Sequence, residues 1–490
     1  MFYNKLIHRT FNIHDTSSIF VQRIFELVEN VRLNRKFILG ITLVSAMGGL
    51  LFGYDWVVIG GAKPFYERFF EITQSPNLQG WAMSSALIGC LFGALISGYL
   101  SDRFGRKLPL IGAAALFSIA ALGTGAVNQF TLFVIFRLIG GLGIGLASAL
   151  SPMYIAEISP ASMRGRLVSV NQLTIVIGIL AAQIINYLIA EKVPEGASDQ
   201  LILQSWNGQI GWRWMFWAGT VPALLFFILA FLIPESPRYL GKSGKWEAAI
   251  RILEKIGGHA YAIEEKNNIA ETLTGSDTKS EWKSLGNKKV RPVLILGIVL
   301  AIFQQWCGIN VIFNYAEEIF SSAGYSVNDI LFNIVITGAV NLIFCLLAMR
   351  MVDSWGRRKL MLLGSAGLAL IYFILGTSYF FEMKGLAILM LVMFAIATYS
   401  LTLAPITWVI LSEIFPNNIR GAAMAIATTA LWMACFVLTY TFPILNKLLH
   451  ASGTFWLYAL ICLTGFLFIL RKLPETKGKS LEEIEIKLTH

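Results

Sequence analysis

Apolar stretches of about 20 or more residues recur at twelve places, long enough for a helix rising about 1.5 Å per residue to cross a hydrocarbon core about 30 Å thick. They predict spans near residues 37 to 58, 81 to 100, 108 to 127, 131 to 151, 168 to 190 and 214 to 233. Six more follow near 292 to 313, 329 to 351, 360 to 380, 386 to 411, 421 to 445 and 454 to 470. The one long polar loop, 234 to 291, divides them six and six and reads as short cytoplasmic helices over a linker. The pattern organises the chain as an N-terminal tail (1–36), a first six-helix half (37–233), the linker (234–291), a second half (292–471) and a C-terminal tail (472–490). The first span lies behind a charged leader (Lys5, Arg9, Arg23, Arg32, Arg35, Lys36) with no small-residue cleavage site, which predicts a retained helix rather than a signal peptide.

Composition agrees with a membrane chain. A soluble protein of 490 residues would hold several domains and about 25% charged residues, whereas this one has 14% charged and 56% apolar residues and a mean hydropathy of +0.66. Most of its exterior must therefore face lipid. Thirty-four Phe, 13 Trp and 43 unperiodic Gly exclude collagen, coiled coil and disorder together.

The net charge of +10 belongs to loops and is no nucleic-acid footprint, since no basic run is interleaved with exposed aromatics. Of 39 Lys and Arg, 32 fall on the side that holds both termini, six on the other, and Arg137 lies within a span. The positive-inside rule then places both termini in the cytoplasm. Five Cys (Cys90, Cys307, Cys345, Cys435, Cys462) lie inside apolar segments without metal-type spacing, and all five His lie outside the spans. No metal site or cofactor is indicated, and any intramembrane proton chemistry falls to carboxylates.

Asp102-Arg103-Phe104-Gly105-Arg106-Lys107 after the second span is echoed by Asp353-Ser354-Trp355-Gly356-Arg357-Arg358-Lys359 after the eighth. Glu157-Ile158-Ser159-Pro160 with Arg164-Gly165 recurs as Glu413-Ile414-Phe415-Pro416 with Arg420-Gly421, and Pro234-Glu235-Ser236-Pro237-Arg238 as Pro474-Glu475-Thr476-Lys477-Gly478. The offsets, 251, 256 and 240, agree to within 16 residues, so the spans form two homologous halves in parallel orientation. Carboxylates at one helix end and guanidiniums at the next, with Gly105 or Gly356 permitting a tight turn, suit breakable ion pairs that latch neighbouring helices. The bland alternative is ordinary positive-inside decoration, which duplication disfavours.

Asp55, inside the first span, costs about 2.5 to 3.5 kcal/mol to insert and needs a partner. Arg137, at a similar depth in the fourth span, is the natural one, unless Asp55 is simply a helix end at the water interface. Gln304, Gln305 and Asn310 in the seventh span project about 100°, 140° and 120° apart on a regular helix, so one straight helix cannot aim all three at one cavity. Either some face neighbouring helices, or the helix breaks near Gly308. Gly140-Gly141-Leu142-Gly143-Ile144-Gly145 lies mid-span and reads as small-residue helix packing rather than a dinucleotide loop.

DRFGRK, DSWGRRK, PMYIAEISPASMRGRL (152–167), PESPRYL (234–240), QQWCGIN (304–310), LSEIFPNNIRG (411–421) and PETKGKSLEEIE (474–485) together resemble the sugar porter family of the major facilitator superfamily, over roughly residues 37 to 485. Within it the chain is most similar to bacterial proton-coupled xylose and hexose symporters and mammalian glucose facilitators. The resemblance implies a midplane sugar cavity between the halves, opened alternately to each side, with no enzymatic activity. It implies a substrate site of Gln172, Gln304, Gln305, Asn310, Asn341, Trp408 and Trp432, with Phe52 as a weaker addition. Amides and indoles suit hydroxyl groups and an apolar C–H face; interhelical bonding and packing are the plain alternatives for each. Asp at position 55, where facilitators have Asn, favours proton coupling through Asp55 and Arg137. Asp102, Arg103, Arg106, Glu157, Arg164, Asp353, Arg357, Glu413 and Arg420 fall in the cytoplasmic gate motifs. Departures are Leu431 in place of Gln, Asn314-Tyr315 in place of tandem Tyr, and Glu317 in place of Pro, which leave pentose and hexose both open.

The function expected is monosaccharide and proton symport across the cytoplasmic (inner) membrane, with sugar, proton and lipid as partners and no obligate protein partner or nucleic acid. A proton-independent uniporter is its rival. A transporter-like sensor is disfavoured by the roughly twenty residues after the last span, and a membrane enzyme by the lack of a catalytic constellation.

Overall fold

In lipid every backbone N–H and C=O needs a partner within the protein, so apolar runs of this length form helices. The computed structural model describes residues 33–194, 196–274, 285, 290–416 and 419–477, and every regular element among them is helical. The tail before residue 33, most of 275–289, the residues after 477 and the side chain of Asp353 lie outside the described residues.

The first five spans are α1 (Arg35–Phe69), α2 (Pro76–Phe104), α3 (Lys107–Ala126), α4 (Phe130–Ile158) and α5 (Arg164–Ile189). After the short α6 (Asp199–Gln204), the sixth runs through a π-helical turn, Asn207–Gly211, into α7 (Trp212–Ala218) and α8 (Thr220–Ala230). The linker holds α9 (Pro237–Lys242) and α10 (Trp246–Thr274), the latter kinked at Gly258. The seventh span is α11 (Arg291–Trp306) with α12 (Ile309–Asn314), followed by the short α13 (Ala316–Ser322). Then come α14 (Val327–Trp355), α15 (Arg357–Phe380), α16 (Leu386–Leu401) with α17 (Leu403–Ile414), and α18 (Arg420–Lys472).

Eleven helical stretches are long and apolar enough to cross a membrane, and the last accounts for two crossings. Non-helical dihedrals at His450 (φ 58°, ψ 174°) divide the 53 residues of α18 between the expected eleventh and twelfth spans. The chain is thus an all-α membrane protein of two six-helix halves. Local chemistry sets several ends. Ser75 accepts the Leu78 amide ahead of Pro76, and Ser326 accepts the Asp329 amide, so each supplies a partner to an otherwise orphaned first-turn N–H. Gly105 (φ 84°) and Gly356 (φ 90°) make the two tight turns that the repeated motifs predict.

One boundary differs substantially from expectation. The first span was expected to end at residue 58, but α1 continues to Phe69 and carries Lys63, Glu67 and Arg68 beyond it. Lys63 and Glu67, charged as they are, are buried and paired.

By internal contact the described residues divide into two compact units, one comprising those through 41 with those of 234–276, the other 42–233 with the remainder. Within the second unit the halves meet along α2 against α18 and α5 against α14. Within the first half α2 packs closely on α4. An added Cβ at Gly141 or Gly145 would collide with the Ala86 or Cys90 carbonyl oxygen of α2, so the glycine-rich run is helix packing, as read. Lipid supplies no hydrophobic drive between helices, which makes such close van der Waals approach a main source of their association.

Candidate functional site

Between five and six helical turns into α1, Asp55 faces α4. Arg137 Nη1 donates to Asp55 Oδ1 at 2.7 Å and to Oδ2 at 2.8 Å. The Arg137 side chain is 3% exposed and that of Asp55 20%, so the carboxylate is the more accessible partner of the pair, and both border a small cavity. Trp56, Cys90 and Asn314 line that cavity beside the pair. Arg137 also stands 5.9 Å over the Phe216 ring, and its Nε is buried without a hydrogen-bond acceptor. The guanidinium therefore leans heavily on one carboxylate. Such a pair adds little net stability while intact, but removal of one partner leaves a costly uncompensated charge.

The seventh span breaks, which resolves the geometry of its three amides. Gly308 takes a left-handed conformation (φ 87°, ψ −4°) between α11 and α12, bringing Asn310 back toward Gln305. Asn310 Nδ2 donates to Gln305 Oε1, Gln305 Nε2 to Gln304 Oε1, and Gln304 Nε2 to the Tyr399 hydroxyl at 2.6 Å. The three amides are 5%, 6% and 8% exposed in chain order. They form one directional chain whose remaining donors and lone pairs could be exchanged for those of sugar hydroxyls. Asn341 Oδ1 accepts from Ser400 Oγ at 2.6 Å, next to Tyr399 on α16.

Aromatic surface comes from the two halves together. The Phe52 and Trp432 ring centroids lie 5.9 Å apart, and Trp56 lies 5.6 Å from Phe52 and 6.2 Å from Trp432. Gln172 on α5 is half-buried and Trp408 on α17 is exposed. No hydrogen bond or ring contact among the described residues joins those two to the amide chain or the aromatic trio. Sequence reasoning missed Tyr399, Ser400 and Trp56. The available signals were the polar run Thr398-Tyr399-Ser400 within the tenth span and a Trp beside an intramembrane Asp.

The repeated motifs form mirrored contacts. Arg106 Nε and Nη2 bind the two oxygens of Glu157 at 2.8 and 2.7 Å, and Arg357 Nε and Nη2 approach Glu413 Oε1 at 3.3 and 3.2 Å. Arg164 donates to the Ala156 carbonyl and Arg420 to that of Phe415. Each half thus ties its second turn to the end of its fourth helix. Glu475, from the third motif, accepts the Arg357 and Arg358 amides at 2.9 and 3.2 Å, placing a carboxylate on the N-terminus of α15. Arg103 bonds the Tyr99 hydroxyl, and Asp102 is exposed beside it.

Comparison with known proteins places this geometry. The sugar (and other) transporter family matches residues 41–488. A D-xylose-proton symporter of Escherichia coli (strain K12) is 40% identical over 487 residues, covering 93% of this chain and 96% of the relative. An arabinose-proton symporter of Bacillus subtilis (strain 168) is 39% identical, covering 94% and 98%. Among solved structures, the inward-open conformation of the xylose transporter XylE from E. coli superposes with a TM-score of 0.81 at 38% identity, covering 92% of this chain and 99% of that one. With the family matched over nearly the whole chain and the twelve-crossing architecture in place, this membrane-integral protein belongs to the sugar transporter family of the major facilitator superfamily.

Proposed function

We propose that the chain is a monosaccharide and proton symporter of the inner membrane that works by alternating access, with both termini on the cytoplasmic side. The observation that carries this reading is the Arg137–Asp55 pair, an ionisable carboxylate held inside the first span with access to a cavity. In this reading Asp55 takes the proton, and Arg137 is released from it when the carboxylate is neutral. The amides Gln304, Gln305, Asn310 and Asn341, with Gln172, bind sugar hydroxyls, while Phe52, Trp408 and Trp432 cover the apolar face of the ring.

The two halves, 37–233 and 292–471, rock about the site, with 234–291 linking them. The mirrored Arg106–Glu157 and Arg357–Glu413 pairs stiffen the cytoplasmic ends of the halves, and Arg103, Asp102, Arg164, Asp353 and Arg420 belong to the same gate. Orientation follows from the basic residues, which favour the side that holds the Gly105 and Gly356 turns. The named relatives carry xylose or arabinose, which makes pentoses the first substrates to test, followed by glucose.

Counterflow of labelled pentoses and hexoses into proteoliposomes, with and without an inward proton gradient, tests the reading. Symport predicts exchange without a gradient and accumulation with one. Exchange unaffected by the gradient would instead establish a uniporter.

A further inference from the structure

The outer ends of α1 and α13 hold a group of charges that neither the Asp55–Arg137 pair nor the amide chain uses. Lys63 is 2% exposed, and its ammonium lies 2.5 Å from Glu318 Oε1, 3.1 Å from Glu67 Oε2 and 3.5 Å from Glu317 Oε2. Glu67 follows one turn later on α1, whereas Glu317 and Glu318 open α13 just beyond the seventh span. One ammonium therefore bridges the two halves at the outer mouth. Gln79 of α2 donates to Glu67 Oε2 at 3.1 Å, and the Tyr315 ring lies 5.9 Å from the ammonium. Tyr66 of α1 and Arg137 of α4 are the remaining titratable or charged groups within electrostatic reach, since Arg68 is engaged by Asp199 at 2.8 Å.

The group is unbalanced. Three carboxylates face one ammonium, and full ionisation would leave two uncompensated negative charges. The Glu67 side chain is 6% exposed, and its Oε1, like Oε2 of Glu318, is buried with no hydrogen-bond donor. A sealed carboxylate oxygen that lacks a donor is relieved by a proton, which removes the charge and supplies a donor to a neighbouring oxygen. Lys63 already fills the centre that a metal cation would need.

We propose that Lys63, Glu67, Glu317 and Glu318 form a second proton-binding site, which takes up one proton from the external solution as the outer gate closes, so that external acid favours closure. The inference rests on the alternating-access reading for its direction, but not on Asp55 being the coupling site. The proton enters from water through Glu317 and Glu318, whose side chains are 17% and 21% exposed, and forms an O–H bond on one carboxylate of the group. It returns to water when α1 and α13 separate.

The pH dependence has a definite sign. Withdrawal from water pushes Glu318 up to about 8; Lys63 opposes the rise, and Glu317 and Glu67 add to it. In an open gate the hydrated carboxyl returns toward its ordinary value, so the closed state holds the proton more tightly. Closure is favoured below about 8 and loses that advantage as pH rises through this value.

The test is a distance measurement on the full-length protein in nanodiscs, without gradient or sugar. Spin labels go on Gln74→Cys and Ser322→Cys, both exposed, while the native cysteines are buried. The ratio of short to long distances should rise roughly tenfold or more from pH 8 to pH 6. Asp55→Asn should keep this response. Glu67→Gln with Glu318→Gln should remove it and hold the gate at pH 8 as closed as the unmutated gate at pH 6; Glu318→Gln alone should weaken it. No response in the unmutated chain, a full response in the double variant, or its loss in Asp55→Asn would overturn the proposal. An intact response in a protein that fails to accumulate sugar would support the gate while contradicting symport.

Discussion

Arg137 Nη1 reaches both carboxylate oxygens of Asp55, at 2.7 and 2.8 Å, and so joins α4 to α1 inside the membrane. Burial differs between the partners: both border a small cavity, but the cation is 3% exposed and the anion 20%. That asymmetry is what a proton switch requires, because the group that titrates must be the one that solvent can reach. It follows that Arg137→Met, which strands the carboxylate without a counter-ion, should destabilise the protein by about 3 to 5 kcal/mol, while Arg137→Met with Asp55→Asn recovers much of the loss. Thermal denaturation in detergent reads both, and equal losses in the two variants would contradict the pairing.

The amide chain predicts a graded series. Gln304→Ala should weaken sugar binding by about 1 to 3 kcal/mol, since Gln305 and Tyr399 lose a shared partner and the sugar loses an amide. Tyr399→Phe removes only the acceptor of Gln304 and should cost about 0.5 to 1.5 kcal/mol. Calorimetry on purified protein measures both; unchanged dissociation constants would take these residues out of the site.

Gly308 fixes the break that brings the amides together. An alanine there must adopt φ near 87° and place its Cβ 2.9 Å from the Tyr458 ring. Gly308→Ala should therefore cost about 1 to 3 kcal/mol and lower sugar affinity with it. A variant that binds sugar as tightly as the unmutated chain would show that the break does not position Asn310.

Arg213 is a structural anchor distinct from the site. It donates to the Gly125 and Val127 carbonyls at 2.8 and 2.7 Å and to Asn128 Oδ1 at 2.7 Å, capping the end of α3 from α7. Arg213→Met should lower stability by about 2 to 4 kcal/mol, because it leaves helix-end acceptors unpaired. Melting temperature should fall while the sugar dissociation constant stays the same; a changed constant with unchanged melting would reverse the assignment.

How far the sequence could be read follows from the range of each signal. Apolar length is local, and so are the repeated Asp102 to Lys107 and Glu157 to Gly165 motifs, which made the spans, the duplication and the family visible. The Asp55–Arg137 pair was legible because two charges inside apolar runs at matched depth have few other partners. The extension of α1 to Phe69 was hidden because Lys63 looks like a water-facing residue until Glu317 and Glu318, about 254 positions later, are brought against it. The amide chain was half legible. The angular argument required either a break or outward-facing amides, and the conformation of Gly308 decided between them. Tyr399 and Ser400 depended on how α16 packs, which no short window encodes.

The mirrored Arg106–Glu157 and Arg357–Glu413 contacts differ in burial, and that difference predicts unequal consequences. The side chains of Arg106 and Glu157 are 9% and 8% exposed, against 14% and 21% for Arg357 and Glu413. Glu157→Gln should therefore cost more stability than Glu413→Gln, by about 1 to 2 kcal/mol, and both should slow sugar exchange. Denaturation and counterflow on the two variants check this; an equal or reversed order would show that burial does not set the strength of the pairs.

Gradient-driven accumulation by Asp55→Asn tests the central claim most directly. Asn keeps the shape of Asp and one acceptor for Arg137, but it cannot exchange a proton. In proteoliposomes with an inward proton gradient, the unmutated chain should concentrate labelled sugar, while Asp55→Asn should bind it and exchange it across the membrane without concentrating it. Undiminished accumulation by Asp55→Asn would contradict the assignment of Asp55 as the coupling site, and absence of accumulation by the unmutated chain would contradict symport itself.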